Sequence, residues 1–321
     1  MADSQTTRGH GAGNADKLNF RTLLPADLHI DFVGKRKIFL IGSTILNLLA
    51  ILLFFVQPLN YGVDFTGGTA IRVRFAQQTS ANTVRDELAA LDLRDLTVQD
   101  FGEHGREYLL RFEIAEGEEM SSISATLTTL YANTANAAGF EILSVASVGP
   151  KVGANLRRQG FLAVFVATIF MGIYITFRFK PSFGLGAVIA LIHDVLITTG
   201  ALMLTQYTFD LTTLAGLLTV IGFSVHDTII VSDRVRENLK RTPKTPLAQI
   251  INQSINDTLS RTLLTTGTAL FVLLALLFLG GKGLEPFAFT LLVGFITGTY
   301  SSIFIAAPVV LFWSDRSKLA R

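Results

Sequence analysis

Cysteine is absent from all 321 residues, which excludes thiol catalysis, disulfides and thiolate metal sites and leaves the redox compartment open. Charge is scarce: 16% of residues are Asp, Glu, Lys or Arg, where a soluble globular domain carries roughly 25%. The net charge of +2 is too small to point to nucleic acid. No small-residue cleavage site follows the first apolar run, so that run is read as a retained helix. No nucleophilic triad, nucleotide fingerprint or P-loop occurs, and no cofactor is expected. What the chain has is apolar length: it is 50% hydrophobic, with a mean hydropathy of +0.47.

Six runs reach the roughly 18 residues needed to cross a bilayer: Ile38–Val56, Gln159–Phe177, Phe183–Leu204, Leu211–Val231, Thr262–Gly280 and Pro286–Trp313. Lys and Arg mark the cytoplasmic loops. They cluster at 35–37, at Arg178 and Lys180, at 234–244, and after the last run at Arg316, Lys318 and Arg321. All four clusters share one side if every run crosses once, so both termini are predicted cytoplasmic. The expected order is a cytoplasmic segment 1–37, a first helix 38–56, an external domain 57–156, a five-helix region 157–313 and a cytoplasmic tail 314–321.

The polar interval after the first helix is too long for a bare loop. Alternation predicts strands at Thr69–Phe75, Leu96–Phe101, Tyr108–Ile114 and Glu141–Val148, with a turn at His104-Gly105. Helices are predicted from Ser80 to Leu91 and over Met120–Ala138. The order β-α-β-β-α-β is the ferredoxin-like pattern. The fold class is therefore a polytopic α-helical membrane protein of six spans, with one ferredoxin-like α+β domain inserted after the first. Two glycine motifs flank that domain. Asp64-Phe65-Thr66-Gly67-Gly68-Thr69 is either a coupling junction or a plain turn, since Gly67 and Gly68 allow positive φ or close backbone approach. Gly149, Pro150 and Gly153 form either a hinge or tight exit, or a plain linker.

Ionisable groups inside the spans carry the chemistry. His193 and Asp194 sit in the third run, His226 and Asp227 in the fourth, and Arg261 opens the fifth. A charge at membrane depth costs about 2.5–3.5 kcal/mol on insertion scales. Asp227 and Arg261 fall at similar depth on antiparallel neighbours and are predicted to pair. A carboxylate beside a fixed cation stays ionised, and one left alone in a dry site takes up a proton. The pair is thus a proton-loading device or a static bridge fixing helix register. His193 and His226 are hydrogen-bonding partners or proton carriers. No third ligand has metal-like spacing. Gly294 and Gly298 form a Gly-x-x-x-Gly face for close helix packing.

In order along the chain, several segments resemble the SecF family. They are Asp64–Thr69, Val148–Gly153, Ala190–Val195, Leu218–Gly222, Asp227-Thr228, Asp233–Asn238, Ser260–Thr262 and Gly298–Ser302. The family comprises the smaller membrane subunits of bacterial SecD–SecF protein-export complexes, within the resistance-nodulation-division superfamily. The resemblance covers the chain after about Leu28. It implies an inner-membrane accessory subunit, not an enzyme, with its soluble domain in the periplasm. It implies use of the proton-motive force with SecD to help draw preproteins across. The implied partners are SecD, YajC, the SecYEG translocon and YidC, together with preproteins, protons and membrane lipid. By position Asp227 matches the family's intramembrane acidic proton site, and Arg261 its basic partner. Two residues depart from the pattern. His226 replaces the usual Asn, and Ser232 stands where an aromatic is usual. Competing readings are a lipid or small-molecule exporter half of the same superfamily and a passive translocon scaffold.

Overall fold

The computed structural model describes residues 29–89, 93–102, 105–113, 125, 128–129 and 140–317. Helix α1 (Arg36–Val56) leads to a one-turn helix α2 (Val63–Thr66). The soluble unit follows: β1 (Gly68–Arg74), α3 (Ala81–Leu88), β2 (Arg94–Asp100), β3 (Glu107–Glu113) and β4 (Glu141–Val148). The chain then re-enters the bundle as α4 (Pro150–Arg178), α5 (Pro181–Thr205), α6 (Leu211–Arg241), α7 (Leu247–Leu279) and α8 (Glu285–Ser301). A π-helical segment, Ser302–Ala306, joins α8 to α9 (Ala307–Ser317). Among the described residues, six helical stretches are long and apolar enough to cross a membrane, the last being Glu285–Trp313.

The sheet order is β2-β3-β1-β4, with every neighbouring pair antiparallel. That is the order a β-α-β-β-α-β chain adopts in the ferredoxin-like fold. Ser80 caps α3 by accepting from Thr83 N at 3.1 Å, which satisfies one of the four free N–H groups at a helix start. Ile71, Val73, Val84, Leu88 and Leu110 form the fully buried core between sheet and helix. The predicted helix Met120–Ala138 lies outside the described residues except for Ala125, Thr128 and Thr129, which are helical. His104 also lies outside them, while Gly105 turns at φ 76°.

The bundle has a centre and a rim. Burial within the apolar windows is 67%, 56% and 50% for α8, α6 and α5, against 17% or less for α1, α4 and α7. The central helices carry the small residues that allow close approach. A Cβ on Gly294 would lie 2.0 Å from Val220 Cγ2, and one on Gly298 3.1 Å from Ser224 Cβ. The Gly-x-x-x-Gly face is thus where α8 crosses α6.

Three helices outrun their apolar signal: α4 starts at Pro150 rather than Gln159, and α6 and α7 extend at their facing ends. Helix α6 continues past Val231 to Arg241, and α7 starts at Leu247 rather than near Thr262. The added turns of α6 and α7 form a polar lock. Arg234 contacts Asp257 and Glu237 at 2.7 Å each, and Asn238 donates to Ser254 at 3.0 Å and to Asp257 at 3.1 Å. The segment before α1 is tied to the same end, where Asn252 and Asn256 hydrogen-bond the backbone of Ile30, Phe32 and Val33.

Candidate functional site

Both intramembrane aspartates are fully buried, and one turn of α8 reaches each of them. Asp194, on α5, is saturated. It accepts from Ser224 on α6 at 2.6 Å, from Ser301 on α8 at 2.7 Å, and pairs with His193 Nδ1 at 2.9 Å. His193 stacks on Tyr300, whose hydroxyl hydrogen-bonds Ser43 of α1 at 2.8 Å. Asp194 therefore ties together three helices directly and a fourth through Tyr300. Charge-assisted bonds of this kind are the strong ones, and a buried network with every member satisfied fixes a unique packing.

Asp227, on α6, is held differently. Thr299 donates to its Oδ2 at 3.1 Å and in turn hydrogen-bonds Thr266 of α7 at 2.8 Å. Among the described residues its Oδ1 has no hydrogen-bond partner. His226 Nδ1 stands 3.8 Å from that oxygen, beyond hydrogen-bond reach, with a side chain 60% exposed on the outer face of α6. A buried polar atom without a partner costs about 1–3 kcal/mol, and more if charged.

The expected pair between Asp227 and Arg261 is not formed. Helix α7 faces the bundle through Thr258, Thr262 and Thr266, a stripe at helical spacing that is buried. Arg261 is adjacent to Thr262 in sequence and therefore about 100° away around the helix. It lies in an open groove of about 500 Å³ with Arg178, Asp233, Arg234, Glu237 and Asp257. Counting residues to match depth does not set the face. Among the described residues no three His, Cys, Asp or Glu side chains gather as a metal site.

The glycine motifs build one packed joint above α6. Gly67, at φ 80°, abuts the start of α4: a Cβ there would meet Pro150 Cα at 2.5 Å, and one on Gly153 would meet Gly67 N at 2.6 Å. Gly149 is the N-cap of α4 and Pro150 its first residue, where proline's missing N–H costs nothing. The motif is thus a tight exit from β4 into α4, with no free linker between them. Gly68, at φ 102°, opens β1 against the Phe112 carbonyl.

Asp64 reaches from α2 to accept from Leu211 N, at the start of α6, at 3.0 Å. Tyr61 and Phe209 form a parallel bridge, with Gly62 N donating to Phe209 O and Phe209 N to Asn60 O at 2.8 Å each. Arg111 descends from β3 to bond Thr208 at 2.8 Å and Asn60 at 3.1 Å. Its burial pulls the guanidinium pKa down, and nearby Asp210 opposes that shift. The soluble domain is so fastened to the first turn of the helix that carries Asp227.

Sequence reasoning gave no role to Ser224 or Arg111, and named Thr299, Tyr300 and Ser301 only as part of the segment Gly298–Ser302. The available signal was the alternation of hydroxyls at 299 and 301 inside an apolar run, two positions apart and so about 200° apart around the helix.

Comparison with known proteins agrees with this architecture. Residues 127–316 match the family described as protein export membrane protein SecD/SecF, C-terminal, and residues 52–79 match the SecD/SecF GG motif. Protein translocase subunit SecF of Calditerrivibrio nitroreducens is 41% identical over 91% of this chain and 96% of its own length. That of Desulfurispirillum indicum is 44% identical over 90% and 93%. The crystal structure of SecDF from Thermus thermophilus, described as a translocon-associated membrane protein, superposes with a TM-score of 0.80 at 35% identity. The match covers 90% of this chain and 39% of that one, so the chain spans well under half of the SecDF polypeptide. The six apolar helices, the antiparallel domain after the first of them, the glycine joint and these relatives together make the chain a member of the SecF family of protein translocase subunits.

Proposed function

We propose that the chain works as a proton-driven accessory subunit of protein export. It pairs with a SecD-type six-helix half, and proton uptake at Asp227 changes the packing beneath the soluble domain. One observation carries this reading: a fully buried carboxylate in an apolar bundle with one oxygen left without a partner. Such a group is either neutral or waiting to become so. Asp194, with three donors, is assigned to structure, and His193 positions it. Arg261 is assigned the part of a fixed cation that meets Asp227 in another arrangement of the helices, since Arg is effectively always charged.

The outer face of α6 supports the partnership. Ala215, Thr219, Gly222 and His226 recur at helical spacing and are exposed. Small and polar residues in such a row suit close contact with a second helix better than contact with lipid tails. The basic clusters support an inner-membrane location with both termini cytoplasmic and residues 57–156 in the periplasm. SecD, the SecYEG translocon, YajC and YidC are the proposed assembly, preproteins the cargo, and protons and membrane lipid the other contacts.

The test is preprotein export in cells carrying Asp227→Asn at normal levels of assembled complex. Loss of the proton-dependent part of export is expected. Export at the wild-type rate rejects the proposal. Orientation is checked on the cysteine-free background: an impermeant thiol reagent should label Val145→Cys and leave Lys240→Cys untouched, and the reverse pattern inverts the topology.

A further inference from the structure

We infer that His226 is the port through which protons reach Asp227, so that this chain loads its buried carboxylate through a titrating side chain. The inference rests on Asp227 being the proton site. Asp227 is 0% exposed, and its only unpartnered oxygen, Oδ1, is the one nearest His226, 3.8 Å from Nδ1. The other oxygen is occupied by Thr299. The His226 ring is 60% exposed, so a single side chain spans the step from the outer face of α6 to the enclosed carboxylate. Nδ1 stands 3.8 Å from Oδ1, so a displacement of less than about 1 Å would bring the two within hydrogen-bond distance.

The proton balance is simple. The imidazolium gives its Nδ1 proton to the Asp227 carboxylate, which becomes a neutral acid, and the ring is left as the neutral Nε2–H tautomer. Reloading returns a proton to Nδ1 from water held in the seam between the outer face of α6 and the partner helix. No redox partner or bound ion is required. Histidine is the side chain suited to this, because it exchanges protons between about pH 5 and 8.

The charged and titratable surroundings of His226 are few. On α6 they are Asp227 itself and Asp233, which lies about two turns further on. On α7, Arg261 lies in the groove lined by Ile229 and Ile230. Helix α8 presents Thr299 to this site and turns Tyr300 toward α1 and α5. His193 and Asp194 of α5 are engaged with Ser224 and Ser301. None of these occupies Asp227 Oδ1.

The experiment measures proton flux through the complex reconstituted with its SecD partner, across pH 6–8, for wild type, His226→Asn, His226→Gln and Asp227→Asn. Both His226 variants keep a polar side chain on the outer face of α6, and flux is normalised to assembled complex, so a loss of assembly is told apart from a loss of proton delivery. The expected result is flux reduced roughly tenfold at pH 8, where protons are scarce, and by less than about twofold at pH 6, in line with the loss of a general acid. Profiles of both variants parallel to wild type, or a loss of equal size at every pH, overturn the inference. Wild-type flux in Asp227→Asn instead overturns the proton-site reading beneath it, so the two failures are told apart.

Discussion

Asp194 and Asp227 are served by the same turn of α8, Ser301 donating to the first at 2.7 Å and Thr299 to the second at 3.1 Å. The two carboxylates are nevertheless in opposite conditions. One has a donor on each oxygen, and the other has an oxygen with no hydrogen-bond partner among the described residues. The turn that holds both runs directly into the π-helical segment Ser302–Ala306. Wide turns of this kind are frequent at functional sites, and here one follows the turn of α8 that serves two partners on different faces.

Asp194→Asn replaces an acceptor by an amide that also donates, facing two hydroxyls and an imidazole. The expected outcome is lower thermal stability of the detergent-solubilised complex, from the loss of charge-assisted bonds worth about 1.5–3 kcal/mol each, with proton flux per assembled complex largely kept. Unchanged melting with abolished flux contradicts the structural role.

Gly153→Ala places a Cβ 2.6 Å from the Gly67 backbone nitrogen. Neither backbone has room to yield, so overpacking should cost about 1–3 kcal/mol. The joint should loosen, with faster hydrogen exchange at Leu211–Leu214 and reduced export. Gly149→Ala, with open space around it, is the matched control and should behave like wild type. Equal effects at both positions reject the packed joint.

Tyr207 donates to Glu285 at 2.6 Å across the loop ends of α5 and α8. Burial, then the bond to Glu285, pushes its phenol up from 10.0 to about 12. A raised folded-state value means that the contribution to stability is complete below pH 10 and is lost as pH rises through about 12. Tyr207→Phe should therefore melt several degrees below wild type at neutral pH, and the gap should close across that window. A gap that persists above it assigns the effect to something other than the phenol proton.

The sequence made some of this legible and hid the rest for physical reasons. Long apolar runs and alternating strands carry their own periods, so the six spans and the order of the soluble domain were readable. The polar turns at Leu247–Ser260 were not, because there the helix is stabilised by Arg234, Asn238 and Asp257 rather than by an apolar stripe. Depth could be counted for Asp227 and Arg261, but the face of α7 is set by the buried row Thr258, Thr262 and Thr266. Hydroxyls inside spans are ambiguous from sequence, since Thr168, Thr176 and Thr219 merely bond the carbonyl four residues back while Thr299 and Ser301 reach other helices. Arg111 could not be foreseen because its partners lie in two distant loops, at Asn60 and Thr208.

The central claim is that Asp227, and not Asp194, is the group that takes up the proton. It is tested most directly by proton flux through liposomes holding the SecD-partnered complex, with Asp227→Asn and Asp194→Asn measured side by side and normalised to assembled protein. The account predicts flux at background for Asp227→Asn and within about threefold of wild type for Asp194→Asn, consistent with titration at an unpartnered carboxylate and structure at a saturated one. Flux retained in Asp227→Asn and lost in Asp194→Asn contradicts it.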